Sequence, residues 1–326
     1  MSWMVTGGAG YIGAHVVRAL RDSGIDAVVL DDLSSGFEAF VPEGVPFVKA
    51  SILETERVTA ALRDHNVQGV IHCAGYKYAG ESVKNPLHTY RQNVEGTVCL
   101  LEAMATAGVT QLVFSSSAGV YGTPDVEVVN ESTATTPESP YGESKLIGEW
   151  LIRDQVRATA ESDAPLRATS LRYFNVVGSG TTEVYDASPH NLFPKVIRAI
   201  KGGQAPLIFG DDYDTPDGTC VRDYVHVQDL AHSHVAAARM LDAGRPLAPV
   251  YNLGSGDGTS VKEIVGSLLA AADSSLEPVV KDRRPGDPAR IVAKGELAAD
   301  DIEWKMAHSI EEMASSAWEA APEALS

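Results

Sequence analysis

Short, continuously apolar runs alternate along the chain with longer stretches whose apolar residues recur every three or four positions. The runs "SWMVTG", "AVVLDD", "VPFVKA", "QGVIHCAG", "QLVFSSS" and "RATSLRYFN" read as strands. Between them, "YIGAHVVRALRDSG", "ETERVTAALRDHN", the segment from about 86 to 107 and "YGESKLIGEWLIRDQVRATAES" carry helical periodicity. Strands that are apolar at every position, not every second one, are covered on both faces, as in a parallel sheet with helical crossovers. From about Asn175 the texture changes. Gly, Pro and Asp become frequent, and short strands such as "PLIFG" and "PVYNLG" separate shorter helices. The pattern predicts an α/β chain in which residues 1–175 form one unit. Residues 176–326 form mainly a second, smaller one, with a segment near 220–255 returning to the first. No linker and no repeat of fixed period separates them, so a rigid shared cleft is expected.

Composition narrows the classes of partner. The chain has 326 residues, 44% hydrophobic and 21% charged, which suits a globular enzyme with a sizeable core. Its 26 basic and 44 acidic residues leave a formal charge of −18. Such a surface repels nucleic acid and anionic lipid, so neither is expected as a partner, and an anionic ligand must find a local basic site. The three cysteines, Cys73, Cys99 and Cys220, are few and far apart. That argues against a disulfide framework or a zinc site and fits a reducing cytoplasm. The first residues show no basic segment followed by an apolar run, and no apolar stretch approaches the ~20 residues of a membrane span. His232 and His234 lie two apart in a helical stretch, so they face different sides and no metal site is expected there.

The first strand runs into "TGGAGYIG", with Gly7, Gly10 and Gly13 at three-residue spacing, and this opens the first helix. The first glycine permits a tight turn, the second lets a pyrophosphate approach the backbone, and the third allows close helix–strand packing. The helix start then offers free N–H groups to the phosphates. Asp31 ends the second strand, 18 residues after Gly13, where an acid accepts hydrogen bonds from ribose hydroxyls. Asp31 and Asp32 would repel a 2′-phosphate, so the sequence favours NAD over NADP. The fold expected is therefore a Rossmann-type doubly wound parallel sheet with a smaller C-terminal α/β substrate-binding domain.

"FSSSAGVYG" ends the fifth strand and places Ser117 at the carboxyl ends of the strands, where ligands bind in open α/β sheets. "SPYGESK" follows. Pro140 suits the first turn of a helix, and Tyr141 and Lys145, four apart, share one face. A free phenol, with pKa near ~10, is a poor base at neutral pH. A nearby ammonium group and a cationic nicotinamide favour its phenolate, making Tyr141 a general base for a sugar hydroxyl. Lys145 would also hold the nicotinamide ribose, and Ser117 would share a hydrogen bond with the reacting oxygen.

These motifs resemble the extended short-chain dehydrogenase/reductase family and, within it, the nucleotide-sugar epimerases. The likeness covers nearly the whole chain. It runs through "VTGGAGYIGAH", "VVLDDLSSG", "CAGYKYAGES", "FSSSAGVYG", "SPYGESK", "LRYFNVVG", "HNLFPKV", "IFGDDYDTPDGTCVRDYVHVQDLA", "YNLGSGDGTSV" and "RRPGD". The resemblance implies tightly held NAD and reversible C4 epimerisation of a UDP-hexose through a transient 4-keto sugar, with Tyr141 as acid and base assisted by Lys145 and Ser117. It implies that Tyr11, Ile12, Asp31, Asp32, Ser51, Ile52, Ala74, Lys77, Asn93, Ser115, Tyr173 and Phe174 line the cofactor site. Lys77, Ser117, Tyr141, Asn175, Asn191, Leu192 and Phe209 would bracket the substrate. Arg222 and Arg284 would clamp its diphosphate, and Asp287 would hold the uridine ribose. A homodimer is implied through the helix near 86–107 and the one starting at Tyr141.

The chain departs from the family pattern at several places, and its stretch "PARIVAKGELAADDIEWK" is also less typical than the rest. Ala50-Ser51-Ile52 stands where Gly-Asp-Ile is usual, which removes a carboxylate for the adenine amine. His190 replaces the first residue of a common Asn-Asn pair. Ile291 is of intermediate bulk at a position linked to acceptance of N-acetylated sugars, and leaves that acceptance open. A 4,6-dehydratase of the same family needs an additional acid/base pair. Its usual loop carboxylate is missing from Ser117-Ala118-Gly119. A non-catalytic NAD-binding protein often lacks the Tyr or the Lys, and both are present.

Overall fold

In the computed structural model, which describes residues 1–284 and 288–323, the apolar runs form one seven-stranded sheet. Its order is Val250–Leu253, Arg167–Tyr173, Gln111–Ser115, Gly69–His72, Ser2–Thr6, Asp26–Asp31, Phe47–Lys49, and every neighbouring pair is parallel. The order reverses between Ser2–Thr6 and Gly69–His72, and that switch point opens the crevice in which doubly wound folds bind ligands. Alternate residues of each strand feed two different cores, which explains the unbroken apolar runs. Trp3, Val5, Val29, Ile71 and Val113 point to one face, against the helices Tyr11–Asp22 and Val227–Asp242. Met4, Val28, Leu30, Val70, Leu112 and Phe114 point to the other, against Thr55–Asp64 and Gly96–Ala107. Full burial of each such side chain contributes about 1.5–3 kcal/mol.

The helical stretch predicted near 86–107 is not uniform. It begins as Pro86–Tyr90, widens into a π turn at Arg91–Glu95 and continues as Gly96–Ala107. Such one-turn bulges occur mostly at functional sites, and this one carries Asn93. The helix Pro140–Thr159 starts where Ser139 Oγ accepts from the Gly142 N–H at 3.2 Å, with proline in the first turn.

The later part of the chain contributes a third core of Phe193, Val196, Ile197, Ile264, Leu268 and Met313. These come from the helices Leu192–Lys201, Val261–Ala271 and Ile310–Ala320. A four-stranded sheet lies beside it, in the order Thr259–Ser260, Val221–Arg222, Arg290–Ala293, Val128–Val129. Its last strand comes from the first half of the chain. Conversely, Val250–Leu253 adds an edge to the large sheet. The chain crosses between the two layers more than once.

Candidate active site

The glycine loop is shaped by close approach. Gly7 has φ +71°, and a Cβ there would lie 2.7 Å from the Ala74 backbone nitrogen. A Cβ on Gly13 would lie 2.1 Å from the Gly7 carbonyl oxygen. The helix Tyr11–Asp22 starts at Gly10 with no side-chain cap, so its first-turn N–H groups face the crevice as an anion-binding end. Tyr11 donates its hydroxyl proton to Gly178 O at 2.5 Å, and Ile12 packs against the core. This cradle, which side chains would fill, fits a dinucleotide pyrophosphate.

Asp31 is 8% exposed, and its two oxygens accept from Ala9 N at 3.0 Å and Leu33 N at 2.8 Å. Burial raises its carboxyl pKa, and the two backbone bonds oppose that rise. They fix the carboxylate beside the glycine loop with lone pairs to spare for ribose hydroxyls. Asp32 is exposed and accepts from Ser34 N at 2.8 Å. Ser51 Oγ accepts from Leu53 N at 3.3 Å, and Ser51 N donates to Glu54 at 2.8 Å, so this serine shapes the turn into the next helix. Ile52 is buried in the second core.

Asn93, on the π turn, holds the loop after the fourth strand. Its Oδ1 accepts from Tyr76 N at 2.6 Å, and its Nδ2 donates to Tyr76 O at 3.0 Å and Ser144 Oγ at 2.8 Å. Lys77 projects from that loop, exposed, with its ammonium 5.6 Å from the Tyr78 ring centre.

Tyr141 and Lys145 lie in the first two turns of the helix Pro140–Thr159, against the turn that carries Ser117. Tyr141 is half-buried, and its ring lies beside Ser117: a Cβ on Gly119 between them would meet Ser117 Oγ at 3.4 Å and Tyr141 Cε1 at 3.6 Å. Its backbone N–H donates to Ser82 Oγ at 3.1 Å, and Ser117 Oγ accepts from Gly119 N at 3.1 Å. Burial pushes the Tyr141 phenol above its ordinary value, and the Ser117 bond pulls it back. Lys145 donates to Ser115 O at 2.9 Å, its ammonium 5.1 Å from the Phe114 ring centre. Burial lowers Lys145 to about 8, against the raising influence of Cys73 and Glu149.

Phe174 packs on Val120, Tyr121, Val129 and Leu146. Asn175 Nδ2 donates to Asp223 O at 3.0 Å. Asn191 precedes the helix Leu192–Lys201 and donates to Asp186 at 2.7 Å. Arg284 lies over Phe209, guanidinium to ring centre 4.0 Å, a stacked cation–π contact. Arg222 stands in register with Ile291, its Nη1 donating to Val221 O at 2.8 Å. Asp287 lies outside the described residues.

Several supporting groups escaped the sequence. Ser116 donates to Glu149, which forms a buried two-point ion pair with Arg172 at 2.9 and 2.6 Å directly behind Ser117. Asp223 is fully buried and accepts from Ser255 N and Ala293 N, tying together the strands around Arg222. A charged residue within an apolar strand run was its only signal. Lys195 lies near Arg284 and Arg198; partial burial and these two cations lower its pKa. That is a local basic site in an acidic chain. Among the described residues no group of three His, Cys, Asp or Glu side chains is arranged for a metal, and no helix is long and apolar enough to cross a membrane.

Known proteins resemble the chain in sequence and in overall fold. The UDP-glucose 4-epimerase of Azospirillum brasilense is 43% identical over 309 residues, 94% of this chain and 87% of that protein. The crystal structure of UDP-glucose 4-epimerase from Brucella ovis in complex with NAD superposes with a TM-score of 0.91 at 37% identity, over 97% of each chain. The enzyme from Bifidobacterium longum, solved with NAD+ and UDP, gives 0.88 at 36% identity over 98% of each. The model of the NAD dependent epimerase/dehydratase family matches residues 3–254, from the first strand through the catalytic helix to the last strand of the large sheet, and the chain belongs to that family.

Proposed function

We propose that the chain is an isomerase that interconverts UDP-glucose and UDP-galactose at C4 through a transient 4-keto sugar. The observation that carries this reading is Tyr141 set beside Ser117, with Lys145 one turn on, next to an open glycine loop. NAD, when bound, supplies the hydride acceptor and then the donor. Tyr141 takes the C4 hydroxyl proton and later returns it. Its raised pKa favours the return; the Ser117 bond favours the removal. Ser117, at the turn facing Tyr141, can share its hydrogen bond with the reacting oxygen. Lys145 carries an ammonium for most of the time at neutral pH and serves the nicotinamide ribose. Arg284 and Arg222, with Lys195 nearby, hold the diphosphate; Asn175, Asn191, Leu192 and Phe209 bracket the rest of the nucleotide sugar, and Asp287 the uridine ribose. The 4-keto sugar turns about its diphosphate linkage, so the anion must stay anchored while the ring is free.

On this reading residues 1–175 serve the cofactor and 176–326 mainly the sugar nucleotide. The protein works in the cytoplasm as a homodimer. Val83 (62% exposed), Leu87 (83%) and Trp150 (45%) lie on helices that pack together, and they supply an apolar face for the partner.

Tyr141→Phe removes the proton carrier and leaves the glycine loop intact. We expect turnover to fall about 10²–10⁴-fold, with NAD still released on denaturation in equal amount. Near-parental turnover would overturn the assignment.

A further inference from the structure

A buried polar chain behind the Ser117 turn takes no part in any step above. Arg172, on the strand Arg167–Tyr173, and Glu149, on the helix Pro140–Thr159, are 5% and 7% exposed. A guanidinium can only donate, so the direction of each of its bonds is fixed. Arg172 Nε and Nη2 donate to the two Glu149 oxygens at 2.9 and 2.6 Å. Its Nη1 donates to the Tyr121 hydroxyl oxygen at 2.9 Å, and Tyr121 gives its own proton to Asn252 Oδ1 at 2.7 Å. Glu149 Oε1 also accepts from Ser116 Oγ at 2.5 Å. Ser116 and Tyr121 are both fully buried.

These two residues flank Ser117. Ser116 directly precedes it, and Tyr121 ends the 3-10 turn Ala118–Tyr121 that Ser117 caps, with Gly119 N donating to Ser117 Oγ at 3.1 Å. Both flanks of the turn are therefore tied to one ion pair, and half of that pair stands on the helix that also carries Tyr141. The turn and the helix cannot slide past each other without breaking a hydrogen bond to a buried charge, which is among the costlier bonds to lose. A pair that served only to join helix to strand would need neither contact. We infer that Glu149 and Arg172 are positioning residues that hold the Ser117 hydroxyl against Tyr141, one through Ser116 and the other through Tyr121. The inference rests on the reading that Ser117 assists Tyr141 in the proton transfer.

The test uses the full chain with NAD bound. Ser116→Ala combined with Tyr121→Phe cuts both ties and leaves the ion pair whole. We expect kcat to fall about tenfold with KM within about twofold, because displacing an assisting group slows the chemistry and not the binding. Glu149→Leu combined with Arg172→Leu removes the pair itself. Apolar replacement of a buried pair often leaves stability unchanged or raised, so this variant is expected to melt near the parent and to lose turnover by a similar factor. If it does not fold, the Ser116 and Tyr121 substitutions carry the test. In Ser117→Ala no hydroxyl is left to position, so adding Ser116→Ala and Tyr121→Phe is expected to cost nothing further. Additive losses, an undiminished kcat or a change confined to KM overturns the inference. Amide hydrogen exchange gives a reading independent of turnover. The Gly119 N–H is expected to exchange at least about tenfold faster once both ties are cut, with the central strands unchanged. Equal protection at Gly119 overturns the inference. Absence of turnover in the parent chain would sink the proposed function, while exchange at Gly119 would still decide whether the pair holds the turn.

Discussion

Lys145 holds a charge in the interior, and the consequences run in opposite directions for stability and for chemistry. Its folded pKa of about 8 lies below the ~10.4 of an unfolded lysine. Below about pH 8 both states bind the proton, and the folded state bears the full penalty of the buried ammonium, about 3 kcal/mol by order of magnitude. Between about 8 and 10.4 the unfolded chain binds more protons, so stability rises with pH and the penalty disappears. Lys145→Met is therefore expected to raise the urea midpoint of NAD-free protein at pH 7 and to lose that advantage near pH 10, while turnover is abolished. A variant less stable than the parent at pH 7 would contradict this. Residues of this kind are legible in sequence because their chemistry demands a spacing: Tyr141 and Lys145 four apart, Gly7, Gly10 and Gly13 three apart. Glu149, Arg172 and Asp223 were not legible, because their roles arise from partners 23 to 70 residues away.

At the scale of elements, the catalytic helix is set against the Ser117 turn by backbone contact. A Cβ on Gly142 would meet the Gly119 carbonyl oxygen at 2.4 Å, and neither partner has a flexible end to move. Gly142→Ala must shift the helix start away from the turn and move Tyr141 away from Ser117. Loss of turnover by at least about tenfold is expected, with the circular dichroism spectrum retained, because a small misplacement of reacting groups has that effect. Undiminished activity would show that the close fit is not needed. The long helices and the central strands follow from apolar periodicity, which is strong where an element is buried on one stripe or on both faces. The π turn at Arg91–Glu95 and the two-residue strands Val128–Val129, Val221–Arg222 and Thr259–Ser260 do not. Segments that short carry no period of their own, and their pairing is decided by the rest of the fold.

For the whole molecule, the charge of −18 and the cluster of Lys195, Arg198 and Arg284 belong together. An anionic ligand crossing a repulsive surface needs a concentrated cationic target, and Arg284 of this cluster stacks on Phe209. Leu87, Val83 and Trp150 are exposed apolar side chains on helices that pack together, and the proposed homodimer would cover them. Sedimentation should give twice the 34.6 kDa chain mass, with Leu87→Arg shifting the species toward monomer. A parent chain that sediments as a monomer would contradict the dimer. The account as a whole depends on one reaction carried out with a cofactor that stays in place. The most direct measurement is the conversion of UDP-galactose by purified protein, followed by the sugar anomeric NMR signals, with and without added NAD. The account predicts UDP-glucose in both samples, approaching the same equilibrium mixture from either sugar. No UDP-glucose in either sample would contradict it.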